Sequence, residues 1–354
     1  GYKKLNTYNL PDSSITDGSQ YMNTVVYTGN NTTNNITGVG FSPDFVWIKN
    51  RGATAFHSLV DSVRGFTSGD VNVLYTNSTN AEGTSGAFDS FDSDGFSLST
   101  NGYGFNQSPY SYVAWNWRGS DSTAVSNTDG TITSTVSANT TSGFSVVTYT
   151  GTGVNATVGH GLGSTPKVII SKCRSSGTGS DGWVTYHASL GNTGGLVLNL
   201  TNSFITDNGW FNSTSPTSSV FTRGTSSSVN ASGQTYVAYC FAEVEGFSKF
   251  SSYTGNGSTD GPMVYCGFKP AFVLVKRTDG VQNWTMYDSA RDTDNVVQNL
   301  LVPNTSGAEA TYAIYDFLSN GFKLRNTDTA FNGSGANYIY MAFAENPFKN
   351  SLAR

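Results

Sequence analysis

The chain has 354 residues, a mass of 37.6 kDa and a formal net charge of −5, with 40 Gly and only 12% charged residues. Hydrophobic residues at 37% and aromatic ones at 13% are enough for buried cores and exclude global disorder, and the length predicts two to three domains. Nineteen Lys and Arg under a pI near 5.1 form no basic stripe, which argues against nucleic-acid binding, and no apolar run is long enough for a helix to span a bilayer.

Ser, Thr, Asn and Gly fill most of the remainder. Ser, Thr and Asn side chains compete for the backbone, and Gly loses the most entropy in a helix, so this mix disfavours long helices. The expected fold class is all-β. Residues 1–20, opening with GYKKLNTYNLP, read as an N-terminal connecting segment, and a start at Gly1 rather than Met predicts an upstream portion removed by processing or truncation.

Self-similarity then organises the rest. Tyr-Thr-Gly occurs at Tyr27, Tyr149 and Tyr253. Downstream of each lies an apolar run from Pro to Lys: PDFVWIK (Pro43 to Lys49), PKVIISK (Pro166 to Lys172) and PAFVLVK (Pro270 to Lys276). An aromatic-led segment follows, FHSLVDSVRG from Phe56, WVTYHASLG from Trp183 and WTMYDSARD from Trp284, and each unit closes with an aromatic strand from Tyr112, Tyr236 or Tyr338. Opening and closing Tyr are 85, 87 and 85 residues apart, so the chain is a triplication.

Within each unit, apolar runs of four to seven residues alternate with turn residues about every ten positions, the signature of a β-sandwich. The reading is three tandem β-sandwich-like domains of about 100 residues each, at 21–119, 143–246 and 247–349, each large enough for its own small core. Residues 120–142 read as a Ser/Thr-rich linker that could hold one added strand, and 350–354 as a C-terminal tail. The Pro-to-Lys strands, apolar on both faces, belong at the centre of their sheets. Asp94-Gly95, Asn208-Gly209 and Asn320-Gly321 are expected hairpin turns.

Groups able to do chemistry are sparse. Asp61 with Arg64, and Asp288 with Arg291, are spaced to meet on one turn and are expected to be structural ion pairs; the middle unit has His187 and Leu190 there. Lys49, Lys172 and Lys276 end their strands, where the ammonium is expected to reach water while the stem covers apolar surface. His57, His160 and His187 lack recurring ligand partners, and Cys173, Cys240 and Cys266 lack zinc spacing, so neither metal nor disulfide is expected. GHGLG lacks the context of a phosphate loop, and no cofactor is expected. Asp89, Asp92, Asp94, Glu243 and Glu245 are the carboxylates from which a glycosidase pair would be drawn, but they sit in turn-like contexts with nothing apolar to raise one pKa. The candidate binding residues are the turn aromatics Tyr103, Phe105, Trp210 and Phe211, in loops 101–105 and 208–212, because exposed rings on loops grip sugar rings.

The stretches GVGFSPDFVWIKNRGATAFHSLVDSVRG, SFDSDGFSLST, SNTDGTITSTVSANTTSGFSVVTYTGTG, VGHGLGSTPKVIISK and MAFAENPFK resemble a repeat domain of virion proteins from tailed bacteriophages of the marine and cyanobacterial kind. In that family the repeats often follow a concanavalin-type sandwich, and GYKKLNTYNLP resembles the junction between the two. The resemblance implies a non-enzymatic virion component, in a fibre, tail or capsid-surface appendage, with other virion proteins and further copies of itself as partners. A homotrimer is the first expectation for a fibre. Glycan-mediated host attachment and polysaccharide depolymerisation are the alternatives.

Overall fold

A computed structural model describes residues 14–99, 102–175 and 182–344. Most of the expected connecting segment, Asn101 of the first candidate loop, the end of MAFAENPFK and the expected tail lie outside those residues. The protein is essentially all-β, built from several discrete antiparallel sheets. Among the described residues the only α-helices are the single turns Asn208–Phe211 and Ser227–Asn230.

Three of the sheets share one strand order. In the first, Met22–Thr28, Ser111–Trp117, Phe45–Asn50 and Ser58–Asp61 lie side by side. In the second the same places are taken by Phe144–Thr150, Thr235–Ala242, Pro166–Cys173 and Val184–His187, and in the third by Ser248–Thr254, Asn337–Ala344, Pro270–Arg277 and Trp284–Asp288. By role these are opening, closing, Pro-to-Lys and flanking strands. The Pro-to-Lys strands are interior to their sheets, as their two-faced apolar pattern requires.

The opening Tyr of each unit pairs with its closing Tyr: Tyr27 with Tyr112, Tyr149 with Tyr236 and Tyr253 with Tyr338. The rings stack at 5.1, 5.2 and 4.8 Å between centroids. A fully buried Asn holds the turn after each Tyr-Thr-Gly: Asn106 accepts from Asn30 N at 3.1 Å, Asn230 from Thr152 N at 2.8 Å and Asn332 from Asn256 N at 2.8 Å. Glycine is required in the tripeptide because a Cβ on Gly29, Gly151 or Gly255 would lie 2.4 to 2.5 Å from the carbonyl oxygen of Gln107, Ala231 or Gly333.

Alternation along the closing strands sends one set of side chains to a shared centre. Trp115 and Trp117, Tyr239 and Phe241, and Met341 and Phe343 belong to one continuous core. There Phe45 stacks on Tyr239 at 4.2 Å, Trp117 meets Phe272 at 5.9 Å edge-on, and Phe241 meets Phe343 at 6.1 Å. A void of about 10 Å³ at this junction is lined by all three units, including Trp47, Tyr239 and Leu274. Separate cores were expected, and this is the main correction: units one and two keep their own outer clusters around Tyr112 and Tyr236, but their inner faces fuse. The reason is that both faces of each large sheet are apolar, and the second face has to be buried on something.

Two further expectations change. Within 120–142, strands Val125–Asn127 and Ser134–Asn139 extend the second sheet beyond its opening strand. Ser137 donates a 2.8 Å hydrogen bond to Asp44 of unit one, and Gly119 N reaches the other oxygen of the same carboxylate at 2.8 Å. The segment is thus tied down rather than a free linker. Asn208-Gly209 is no hairpin: Asp207 caps a helical turn by accepting from Gly209 N at 2.8 Å, which competes with a turn conformation. The other two pairs do close hairpins, with Asp92 opposite Gly95 and Leu318 opposite Gly321.

Candidate functional site

The recurring charged residues meet at the junctions between units. Asp61 pairs with Arg64 Nε, and all the charged atoms are buried. Arg64 also donates to Glu82 at 2.8 Å and to the Tyr239 phenol of unit two at 3.2 Å, while Tyr239 donates to Asp61 Oδ2 at 2.8 Å. Arg174 of unit two completes the group, 2.7 Å from Glu82. Burial works to raise the Glu82 carboxyl, but the Arg174 and Arg64 guanidiniums hold it below the usual range.

Unit three meets unit one in the same way. Arg291 donates to Asp288 at 2.7 Å and to Glu309 at 2.9 Å, Arg51 of unit one donates to Glu309 at 2.6 Å, and Trp115 Nε1 donates to Asp288 at 2.9 Å. Burial again opposes the charge on Glu309, and Arg51 and Arg291 outweigh it. At the remaining junction the polar set is absent as a set. His187 replaces the Asp, Leu190 packs on the central core in place of the Arg, and Met341 of unit three takes the position of Trp115 and Tyr239. His187 Nε2 lies 3.3 Å from the Tyr340 carbonyl, and burial pushes the imidazole down to about 4.

The three strand-end lysines do not reach water, contrary to expectation. Each is fully buried. Lys49 donates to Asn50 O at 2.7 Å and Ser306 O at 3.4 Å, Lys172 to Cys173 O at 2.8 Å and Thr79 O at 3.1 Å, and Lys276 to Arg277 O at 2.7 Å and Thr201 O at 3.2 Å. Every ammonium therefore bridges its own strand end to a carbonyl of the neighbouring unit. The carbonyls replace the water that a strand end normally supplies, which is why the side chains turn inward. Trp183 and Trp284 likewise donate across junctions, to Tyr75 O at 2.8 Å and Val197 O at 3.1 Å.

A concave surface in unit one gathers part of the expected binding set. A groove of about 240 Å³ is lined by Phe56, Ser58, Tyr75, Gly102, Tyr103 and Phe105, with Ser85 and Gly104. Tyr103 is 48% exposed and Phe56 44%, and the Phe56 and Tyr75 rings lie 4.9 Å apart. Ser58 Oγ is buried without a hydrogen-bond partner in the described protein. It stands against Gly104, where a Cβ would approach it to 2.9 Å.

Of the four candidate aromatics, Tyr103 is exposed as expected, whereas Phe105 is a correction: it is 3% exposed and packs into unit one's outer core against Phe88, at the edge of the groove. Trp210 and Phe211 are corrections: they are 6% and 3% exposed and belong to unit two's outer core, because the helical turn aims them inward. Phe56 and Tyr75 were not singled out. Spacing makes Phe56 the counterpart of Trp183 and Trp284, but His57 holds that place: the backbone N–H groups of His57, Trp183 and Trp284 donate to Asn77, Asn199 and Asn304. The one-residue offset was the missed signal.

The acidic candidates act locally. Asp94 accepts from Gly40 N at 2.6 Å and Gly38 N at 3.1 Å, and these bonds hold its carboxyl below the usual range. Asp92 accepts from Ser90 at 2.7 Å and Ser97 at 2.5 Å, and Glu243 pairs with Lys249 at 2.7 Å. Asp89 lies exposed in the Phe88–Asp92 strand, and Glu245 is exposed just after the second closing strand. All three cysteines are buried free thiols, and the three histidines are buried too. Among the described residues, no three His, Cys, Asp or Glu side chains gather in a metal-binding group, and no helix is long and apolar enough to cross a membrane.

Comparison with curated proteins finds no match. A family model covers residues 17–347, which takes in all three repeats, and the chain accordingly belongs to the family described as a domain of unknown function, DUF7483.

Proposed function

We propose that the chain is a non-catalytic bacteriophage virion protein, part of a fibre, tail or capsid-surface appendage, in which three tandem sandwich-like units act as one rigid body. One observation carries this reading: the charged side chains that recur in the repeats are spent on junctions between units. Asp61, Arg64, Glu82, Asp288, Glu309 and the three lysines bridge one unit to another, and Arg291 lies over the Trp115 ring of unit one at 5.5 Å. Buried, satisfied polar networks of this kind rigidify the joints, as an assembly module requires. Its partners are other virion proteins and further copies of the chain. Antibodies raised against the purified protein test the reading directly. Decoration of intact phage particles at a defined position is the expected result, and particles that carry none of the protein would overturn it.

The unit-one groove favours host attachment through glycans as a second reading. Exposed rings of Phe56 and Tyr103 on the walls of the groove offer stacking surfaces of the kind that the face of a sugar ring takes up. Binding of purified protein to host surface polysaccharide tests it, and release of reducing ends in the same incubation would instead support depolymerisation.

A further inference from the structure

Unit two carries a cation inside its own core. Arg223 ends the strand Val220–Arg223, in the sequence Phe221-Thr222-Arg223. The matching positions are Leu98 in Phe96-Ser97-Leu98 and Leu324 in Phe322-Lys323-Leu324, both fully buried core residues. Arg223 is buried as completely as they are, at 0% exposure.

Its surroundings are aromatic. The guanidinium carbon lies 4.4 Å from the Phe221 ring centroid and 5.8 Å from those of Tyr149 and Phe211. Among the described residues Nε, Nη1 and Nη2 have no carboxylate partner and no hydrogen bond of normal geometry, although the Tyr149 phenol lies close enough for the guanidinium to act on it both as a charge and as a donor. The contrast within the chain is sharp, since Arg64 and Arg291 each hold one Asp and one Glu. A guanidinium is a permanent cation with five N–H donors. Facing rings offset only part of its desolvation, and burying an ion without a counter-charge costs more than they return.

The nearby Tyr149 phenol and Cys240 thiol do not supply that counter-charge. Tyr149 already donates its proton to Val229 O at 2.7 Å. Burial pushes both groups up to about 12 against the pull of Arg223, so both stay neutral at physiological pH.

We propose that the core of unit two binds one small monovalent anion of chloride's class against the Arg223 guanidinium. The enclosure selects the class. A phosphate or sulfate would bring several oxygens that need donors, and Arg223 is faced by the rings of Phe221, Tyr149 and Phe211, with the Cys240 thiol nearby and Ala156 opposite it on the paired strand. A halide needs only the guanidinium N–H groups, and its polarisable shell tolerates ring edges.

The test uses the full chain in sodium gluconate, with chloride or bromide substituted at constant ionic strength. A saturable rise in melting temperature of about 3 °C is expected for the wild type. Arg223→Leu, which installs the residue used by the other two units, should fold and show no halide response. Crystals of the wild type soaked in bromide should show an anomalous peak at the guanidinium. A halide response equal in wild type and Arg223→Leu would overturn the proposal. So would a bromide-soaked wild-type crystal with no peak beside Arg223, whatever the variant does.

Discussion

The Tyr239 phenol donates a 2.8 Å hydrogen bond to Asp61 Oδ2 across 178 residues of sequence. Trp115 Nε1 reaches Asp288 Oδ2 at 2.9 Å across 173. Each aromatic donor sits at the same position of its closing strand, and each carboxylate also holds its own Arg. Where the carboxylate is replaced by His187, the donor is replaced by Met341, so the two sides of a junction change together.

Removing one member of such a junction leaves a buried charge unpaired. Asp61→Ala should cost about 3–5 kcal/mol, read as a fall in the denaturant midpoint. The concerted set Asp61→His, Arg64→Leu, Tyr239→Met copies the junction between units two and three and should cost less than Asp61→Ala alone. A triple variant less stable than the single one would show that the junctions are not interchangeable.

Acid should destabilise the protein before its carboxylates titrate. Burial depresses His57 and His160 and takes His187 down to about 4. Between the unfolded pKa near 6.5 and these folded values, the unfolded chain binds protons that the folded chain refuses. Stability is therefore fully present above about pH 6.5 and is lost as pH falls toward 4, with His187 contributing up to about 1.4 kcal/mol per pH unit across that window and His57 and His160 acting in the same direction. Melting temperatures across pH 4 to 7 check this, and His187→Gln should flatten the slope.

Alkali should act in the opposite sense at first. Burial pushes Lys49 and Lys276 down to about 8, with Glu309 working the other way on Lys49. From there to about 10.4 the unfolded chain holds protons that the folded one has released, so these two groups make stability rise with pH. Above about pH 10 the buried phenols of Tyr27, Tyr253 and Tyr315, all raised by burial, reverse the trend. Lys49→Met should weaken the rise in a chemical-denaturation series.

A methyl group added at the repeat glycines should be costly in each unit. Gly29→Ala, Gly151→Ala and Gly255→Ala each place a Cβ against a carbonyl oxygen, for an expected loss of about 3 kcal/mol apiece. Gly83→Ala, with open space around it, should be near neutral. Equal losses at all four positions in urea melts would refute the steric argument.

The groove and the buried aromatics should separate cleanly. Phe56→Ala and Tyr103→Ala should leave the melting temperature within about 2 °C of wild type while weakening glycan binding roughly tenfold, the loss of one stacking contact. Trp210→Ala should instead destabilise by about 3–5 kcal/mol. Calorimetry and glycan-array binding on the same preparations distinguish the two.

Repetition and alternation made much of the fold legible along the chain. Tyr-Thr-Gly, the Pro-to-Lys runs and the closing strands recur at set intervals, and pleated strands turn such intervals directly into register, so the matching strand orders follow from local pattern. Asp61 with Arg64 was readable as an ion pair for the same reason, since three residues on one turn bring the groups together. What each sheet buries on its second face depends on contacts between segments more than a hundred residues apart, and only the tertiary structure decided it. Phe45 meeting Tyr239, Lys49 meeting Ser306 and Tyr239 meeting Asp61 have no signature in spacing. The same holds for Trp210 and Phe211, whose turn-like neighbours suggested exposure until Asp207 capped a helix that buries them. For Arg223 the local pattern marks only an interruption of an apolar position. Its complete enclosure arises because Phe221, Tyr149 and Phe211 close around it from three separate parts of unit two.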